Sequence, residues 1–409
     1  MEKKINIILL TQHFPPENSG GVGRPLSLYK YFPKENINVI IVTTNAYGIL
    51  EKEENIYRYE SFCNWRNSSF FSFKRWCKYL SLILSKTIST YTDLYWYYSA
   101  KKGIGKYLIN GGIDLMYATF PNIEALKLGY VLSKKYKIPL ITEFRDGLTF
   151  ETILESQNMF KTLQSEALER KILQTSYAVI TIGNNLSNNF RIRYPNSEIH
   201  TVFNGYDKND FIYEKKEYTN FIYKQKIRIA NFGSFDLTKK VNRDNLFIAI
   251  KTLQEQQIIN NNNFELSLIG RYSEEEKNKI LNYDVENSIT FKDLMPKKEG
   301  LAFVKSNFDY VLFYGSPNET TVISSKLLEY LYLGLPIIGI CKGNEAADII
   351  KQTGTGEVCD FDVDSIKNIL QEALKREIVY APKQNEIAKF DREYQAKQIA
   401  DIIKNVLEK

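Results

Sequence analysis

SSKLLEYLYLGLPII, residues 324–338, is the stretch that decides the fold class. Ser324 or Ser325 suits a helix N-cap, Gly334 supplies the left-handed residue just past the helix, and Pro336 prevents the helix from continuing. A helix delivered straight onto a short, wholly apolar strand is the repeating unit of a buried parallel sheet. The open amides at such a helix N-terminus, with Ser324, Ser325 and Lys326 around them, suit a phosphate. Glu329 lies about one turn further in, on an otherwise apolar helix, where a carboxylate is costly without a partner. A pair of ribose hydroxyls would satisfy it, and so would a neighbouring lysine.

Working outward, the same alternation recurs along the chain. Ile5–Leu10, Val39–Thr44, Leu115–Ala118, Leu140–Thr142 and Ala178–Ile182 form a first set of apolar runs, and Ile227–Phe232, Glu265–Ile269, Tyr310–Phe313 and Pro336–Ile340 a second. The intervals are long enough for βαβ crossovers, and helical periodicity is clear over 163–175, 244–257, 364–375 and 393–407. The alternation pauses in the polar stretch 203–226, FNGYDKNDFIYEKKEYTNFIYKQK, which reads as a linker. The expectation is an α/β chain of two Rossmann-like, doubly wound domains, 1–203 and 204–389, facing across a cleft, with a last segment from 390 to 409. In such sheets ligands bind beyond the carboxyl ends of the strands.

Composition agrees with this class. The 409 residues suffice for two domains, and 44% hydrophobic with 25% charged residues is an ordinary globular balance. Cys63, Cys77, Cys341 and Cys359 have no CxxC spacing, so a zinc site is not expected and a reduced cytoplasmic chain is. Lys3 and Lys4 precede an apolar run too short for a signal peptide, and no stretch reaches the roughly 18 apolar residues of a membrane span. The net charge of +6 is uneven. Segment 66–110 carries Arg66, Lys74, Arg75, Lys78, Lys86, Lys101, Lys102 and Lys106 against Asp93, interleaved with Phe70, Phe71, Phe73, Trp76, Tyr95, Trp96 and Tyr97. That pattern suits an anionic membrane surface, or equally a pair of amphipathic helices with a solvated basic face. No nucleic-acid-binding module is present in the sequence.

Further motifs stand directly after strands. TQHFPPENSGGVGRP, residues 11–25, offers Gly20, Gly21 and Gly23 for close backbone approach to a ligand, with a helix N-terminus near Arg24 to favour an anion. The dinucleotide spacing GxGxxG is absent. Glu143-Phe144-Arg145-Asp146 follows another strand and reads as facing the ligand crevice or as a local ion pair fixing a loop. Gly233-Ser234-Phe235 is followed by Lys239, Lys240 and Arg243, cations placed to hold a diphosphate. Asp360-Phe361-Asp362-Val363-Asp364 is set aside as a metal motif, because Asp364 suits a helix N-cap.

Taken in order, the loop after the first strand, the Arg-Asp pair, Asn-Gly-Tyr-Asp at 204–207, the Gly-Ser turn and the SKLLEYLYLGLPII helix resemble the glycosyltransferases of family 4, in particular the bacterial surface-polysaccharide members. The resemblance implies the GT-B fold, with a last helix from about Phe390 returning to the N-terminal domain. It implies retaining transfer of a hexosyl or N-acetylhexosaminyl group from an NDP-sugar, UDP-linked, to a lipid-linked glycan, without metal or cofactor, at the inner face of the cytoplasmic membrane. Donor-binding positions would be Gly21, Gly23, Ser234, Lys239, Lys240, Thr321, Ser324, Ser325, Lys326 and Glu329. Asp146, His13 and Arg145 would serve catalysis. The sequence departs from the family where Thr321 stands in place of the first Glu of Glu-x7-Glu, with Glu319 two residues away. Ser234 stands where the family often has Arg, and His13 and His200 are the chain's histidines. Those departures keep a non-catalytic partner subunit in view, whereas a nucleotide-sugar 2-epimerase fits poorly with so few histidines.

Overall fold

Two parallel sheets carry the chain; the computed structural model describes residues 4–62, 73–87, 93–109, 111–149, 159–211, 226–233, 243–316 and 323–409. The first sheet comprises β1 (Ile5–Leu10), β2 (Ile37–Thr44), β3 (Ile56–Tyr59), β4 (Leu115–Phe120), β5 (Leu140–Phe144), β6 (Ala178–Thr181) and β7 (Ile199–Thr201). The second comprises β8 (Ile227–Phe232), β9 (Phe264–Ile269), β10 (Ile289–Lys292), β11 (Tyr310–Tyr314), β12 (Ile337–Ile340) and β13 (Gly356–Cys359). Their spatial orders are β3-β2-β1-β4-β5-β6-β7 and β10-β9-β8-β11-β12-β13. Each is the doubly wound order, reversing beside its first strand, β1 or β8.

In the first unit the helices are α1 (Gly23–Tyr31), α2 (Phe73–Thr87), α3 (Leu94–Leu108), α4 (Ile123–Tyr136), α5 (Met159–Thr175) and α6 (Asn184–Arg193). Then follow α7 (Asp244–Glu255), α8 (Glu274–Leu281), α9 (Lys297–Asn307), α10 (Ser325–Leu333), α11 (Glu345–Thr353), α12 (Val363–Lys375), α13 (Gln384–Ala388) and α14 (Arg392–Glu408). The chain divides into two compact units, residues 1–204 with 392–409, and residues 205–391. Strand alternation builds a core on each face of the first sheet. Ile8 and Leu10 join Trp96, Leu126 and Phe144 on one side. Ile7 and Leu9 join Leu28, Phe32, Ile399 and Ile403 on the other, so α14 completes the first unit's core although it is the last element of the chain.

The strands that the apolar runs mark are all present, most of them a residue or two longer than expected. β3, β7, β10 and β13 escape sequence reading for one reason: they are the four sheet edges. With one side partly open to water they carry residues such as Arg58, His200, Lys292 and Glu357, not a continuous apolar run. One cap is corrected. Asp362, not Asp364, caps α12, its carboxylate accepting from the Ser365 amide at 2.9 Å. Much of segment 66–110 forms α2 and α3; residues 63–72, 88–92 and 110 fall outside the described residues.

Candidate functional site

In the second unit, polar groups gather where β8, β9 and β11 end. Asn231 on β8 is buried and donates to the Leu312 carbonyl on β11 at 3.0 Å, spanning the point where strand order reverses. That leaves its Oδ1 to accept from Lys326 Nζ at 3.2 Å, in the first turn of α10. Tyr330, one turn further along α10, accepts the Phe232 amide at 2.8 Å and fixes the strand end. The chain then turns at Gly233, whose φ of +102° disfavours any side chain, and a Cβ there would lie 3.2 Å from Lys326 Cε. Gly270, ending β9, is needed for close approach: its missing Cβ would sit 2.9 Å from the Gly233 carbonyl oxygen.

Burial, reinforced by the nearby Arg243 cation and opposed by Glu329, brings the Lys326 ammonium down to about 7. Ser324 caps α10 without a side-chain hydrogen bond, and both Ser324 and Ser325 are exposed at the start of this nine-residue helix, whose first amides have no partner within the helix itself. Glu329 meets the lysine that its place on an apolar helix demands. Lys297 Nζ lies 2.7 Å from Glu329 Oε1 and 2.8 Å from Asp210 Oδ2. Burial opposes the Lys297 charge, but the two carboxylates hold it above the ordinary lysine range. Beyond the ends of β9 and β10 a cleft of about 1120 Å³ opens, lined among others by Arg271, Tyr272, Asp293, Leu294 and Phe303.

In the first unit, the loop after β1 is fixed at several points. The Thr11 hydroxyl accepts from the His13 amide at 3.1 Å. Arg58 donates to the Pro15 and Thr44 carbonyls, and Arg145 Nη1 to the Gly21 carbonyl at 2.6 Å. His13 Nδ1 lies 2.9 and 3.1 Å from the two carboxylate oxygens of Glu17, which also accepts from Ser19 Oγ at 2.6 Å. The imidazole rests on Gly21, where a Cβ would come within 2.7 Å of the ring. This orientation makes Nδ1 the donor and leaves Nε2 as the basic nitrogen.

His13, Gly21, Arg145 and Asp146 thus meet at the carboxyl ends of β1 and β5. Arg145 is buried and acts chiefly on backbone, through Gly21 and, at 2.9 Å, the Phe120 carbonyl; its Nη2 has no hydrogen-bond partner among the described residues. Asp146 is half-buried and close enough to Arg145 to favour its charge. One expectation is corrected. Glu143 belongs to β5 itself and points into the core, where Arg24 Nε donates to it at 2.7 Å and Thr119 at 2.8 Å. Arg24 is therefore committed to an internal ion pair. The space beside Gly23 is filled by the Arg392 guanidinium of the same unit. Ser234, Lys239, Lys240, Glu319 and Thr321 lie outside the described residues. Sequence reading missed Asn231, Lys297 and Glu17. An Asn inside the apolar run 227–232 is the one signal that could have found the first.

Residues 214–394 match the family model described as Glycosyl transferases group 1. No curated protein sequence matches the chain. Among solved structures, the chain is similar to sucrose-phosphate synthase from Thermosynechococcus elongatus, at 13% identity over 98% of each chain, with a TM-score of 0.66. It is also similar to the lipopolysaccharide outer core galactosyltransferase WaaB in its apo form, at 14% identity over 98% of this chain and 100% of that one, with a TM-score of 0.62. A putative UDP-N-acetylglucosamine 2-epimerase from Listeria monocytogenes shares 10% identity over 99% and 97% of the two chains, with a TM-score of 0.52. Identities this low speak to the fold alone, and that fold, two Rossmann-like α/β halves, is GT-B.

Proposed function

We propose that the chain is a retaining glycosyltransferase that moves a hexosyl or N-acetylhexosaminyl group from a UDP-sugar to a lipid-linked glycan in surface-polysaccharide synthesis. The observation that carries this reading is Lys326, held by Asn231 beneath the Gly233 turn at the exposed start of α10, inside the segment that the group 1 family model matches.

In this reading the donor diphosphate lies against the Gly233 turn and the α10 amides. Lys326 and Arg243 face it, with Lys239 and Lys240 as further cations and Ser234, Thr321, Ser324 and Ser325 as hydroxyl donors. One Glu329 oxygen holds the ribose while the other stays paired with Lys297. The bond from the anomeric carbon to the diphosphate oxygen breaks, and the acceptor hydroxyl oxygen bonds to that carbon on the same face. The hydroxyl proton passes to the departing phosphate oxygen, so neither a metal nor a protein base is required. The main task of the protein is to stabilise the charge developing on the diphosphate. Asp146 and the Nε2 of His13 orient the acceptor hydroxyl, and Arg145 keeps their loop in place.

A thermal-shift series against UDP-, GDP-, ADP- and dTDP-sugars tests the donor half. A ligand that binds only the folded chain raises Tm by mass action. The expected outcome is a rise with UDP-sugars that Glu329→Ala and Lys326→Met abolish. A chain that no nucleotide sugar stabilises is not this transferase. UDP binding without transfer to any acceptor would instead assign a non-catalytic partner subunit, the alternative that Thr321 and Ser234 raise.

A further inference from the structure

A helix laid on a protein core normally turns its apolar side inward. α2 does the reverse. Phe73, Trp76, Leu80 and Ile83 form one stripe at helical spacing and are 84%, 67%, 56% and 40% exposed, whereas Lys78 and Ser81, on another side, are 3% and 7% exposed. Lys78 is anchored inside, its Nζ 3.2 Å from the Glu60 carboxylate and above the Tyr95 ring. The helix is thus pinned by its lysine with its aromatic side facing out. A groove of about 680 Å³ runs between α2 and α3; Leu80, Leu84, Leu94, Tyr95 and Tyr98 line it, with Lys102 and Lys106 at its rim. Both rim lysines are exposed.

The segment that carries the stripe is basic in sequence. Segment 66–110 has eight Lys and Arg residues against Asp93, and Asp93 is buried as the cap of α3, accepting from the Trp96 amide at 2.9 Å. No exposed carboxylate among the described residues of this segment repels an anion. We infer that α2 and the outer side of α3 form a docking surface for an anionic lipid bilayer. α2 lies in the interface with Phe73, Trp76, Leu80 and Ile83 among the acyl chains, and Lys102 and Lys106 reach the phosphate level. Aromatic rings and long lysines bordering an apolar stripe are the groups that stabilise this depth. A second copy of the chain is the poorer occupant, because a two-fold contact would set the same basic patch against itself. The inference rests on the proposed function only for its purpose, which is to bring the first unit to a lipid-linked acceptor.

The test is co-sedimentation of the full chain with vesicles of phosphatidylcholine alone or with phosphatidylglycerol added. Binding should be at least tenfold tighter to the anionic vesicles and fall with salt. Lys102→Gln with Lys106→Gln should weaken it about 20-fold, at roughly fivefold per surface lysine. Trp76→Ser with Leu80→Ser should weaken it by about 100-fold or more, since both side chains leave the acyl region. Both pairs are exposed, so Tm and its rise with UDP-sugar should stay at wild-type values. Equal binding to both vesicle types, absence of binding, or variants that bind like wild type would overturn the inference. So would a dimer in solution that Trp76→Ser with Leu80→Ser dissociates. A chain stabilised by UDP-sugar that ignores vesicles loses the docking surface and keeps the function; one that binds vesicles but no nucleotide sugar does the opposite.

Discussion

At Lys326 the electrostatics bear on binding and on stability with opposite signs. Burial and Arg243 depress its ammonium to about 7, Glu329 works against them, and Asn231 supplies a neutral acceptor at 3.2 Å. A diphosphate favours the charged form, so above pH 7 its binding draws in a proton. Affinity for UDP should therefore fall as pH rises above about 7, by up to tenfold per unit, with proton uptake visible by calorimetry in buffers of different ionisation heat. Lys326→Met should weaken binding about 10- to 100-fold at pH 6.5 and flatten the slope. For folding, the unfolded chain binds the extra proton between about 7 and 10.5, so this residue makes stability rise with pH across that window. Glu143 makes the other residue-scale case. Burial alone would raise its pKa, but Arg24, Arg145 and Thr119 bring it below the ordinary range. Its contribution is present above about pH 4.3, the unfolded value, and is lost as pH falls through the folded one. Glu143→Ala leaves the buried Arg24 guanidinium without its carboxylate and should cost about 3–5 kcal/mol in denaturant unfolding at pH 7. The Glu-Phe-Arg-Asp motif was legible, but its direction was not. Once β5 is extended to Phe144, alternation puts Glu143 on the side of Ile141, the side that α1 and α14 cover.

Elements were legible to the extent that their burial was uniform. α10 and β12 could be read from local letters because cap, apolar face, left-handed Gly334 and Pro336 all agree. α2 could not, since a periodic apolar stripe in sequence looks the same whether it faces a core or the solvent. The loop after β1 lies between these extremes. Its glycines announced close approach, but in Gly21 the approach is to the protein's own His13, and the Glu17 that holds the ring carried no sequence signal beyond its spacing of four. If this loop orients the acceptor, Glu17→Gln should lower kcat roughly tenfold through misplacement of the ring, and His13→Ala by about 100-fold, with the Kd for UDP unchanged in both. Equal losses of kcat and UDP affinity would show that the loop serves the donor instead.

At the scale of the whole molecule, the second unit is an insertion in the first. The chain leaves the first unit at Asn204 and re-enters it at Arg392, and inside the second unit the two ends meet, the Tyr206 amide donating to the Phe390 carbonyl at 2.9 Å. Two α/β halves could be read from alternating runs, whereas the return of the last helix to the first unit was implied by the family resemblance alone, because local letters do not say which face α14 covers. Ile399, Ile402, Ile403 and Val406 of α14 are buried against the side of the sheet that carries Ile7 and Leu9. At about 1.5–3 kcal/mol per buried side chain they supply roughly 6–12 kcal/mol, as much as the whole net stability of a typical domain. A fragment ending at residue 204 should therefore expose that face and aggregate. Replacing 205–391 by a short Gly-Ser linker should instead give a cooperative fold, because Gln395 Nε2 donates to the Asn204 carbonyl at 3.0 Å and Arg24 holds the Val202 and Phe203 carbonyls within 2.9 and 3.0 Å. Circular dichroism with thermal melting distinguishes the two. A soluble, cooperatively melting 1–204 fragment would mean that α14 adds far less than its buried isoleucines require, and that the first unit is complete without the returning chain.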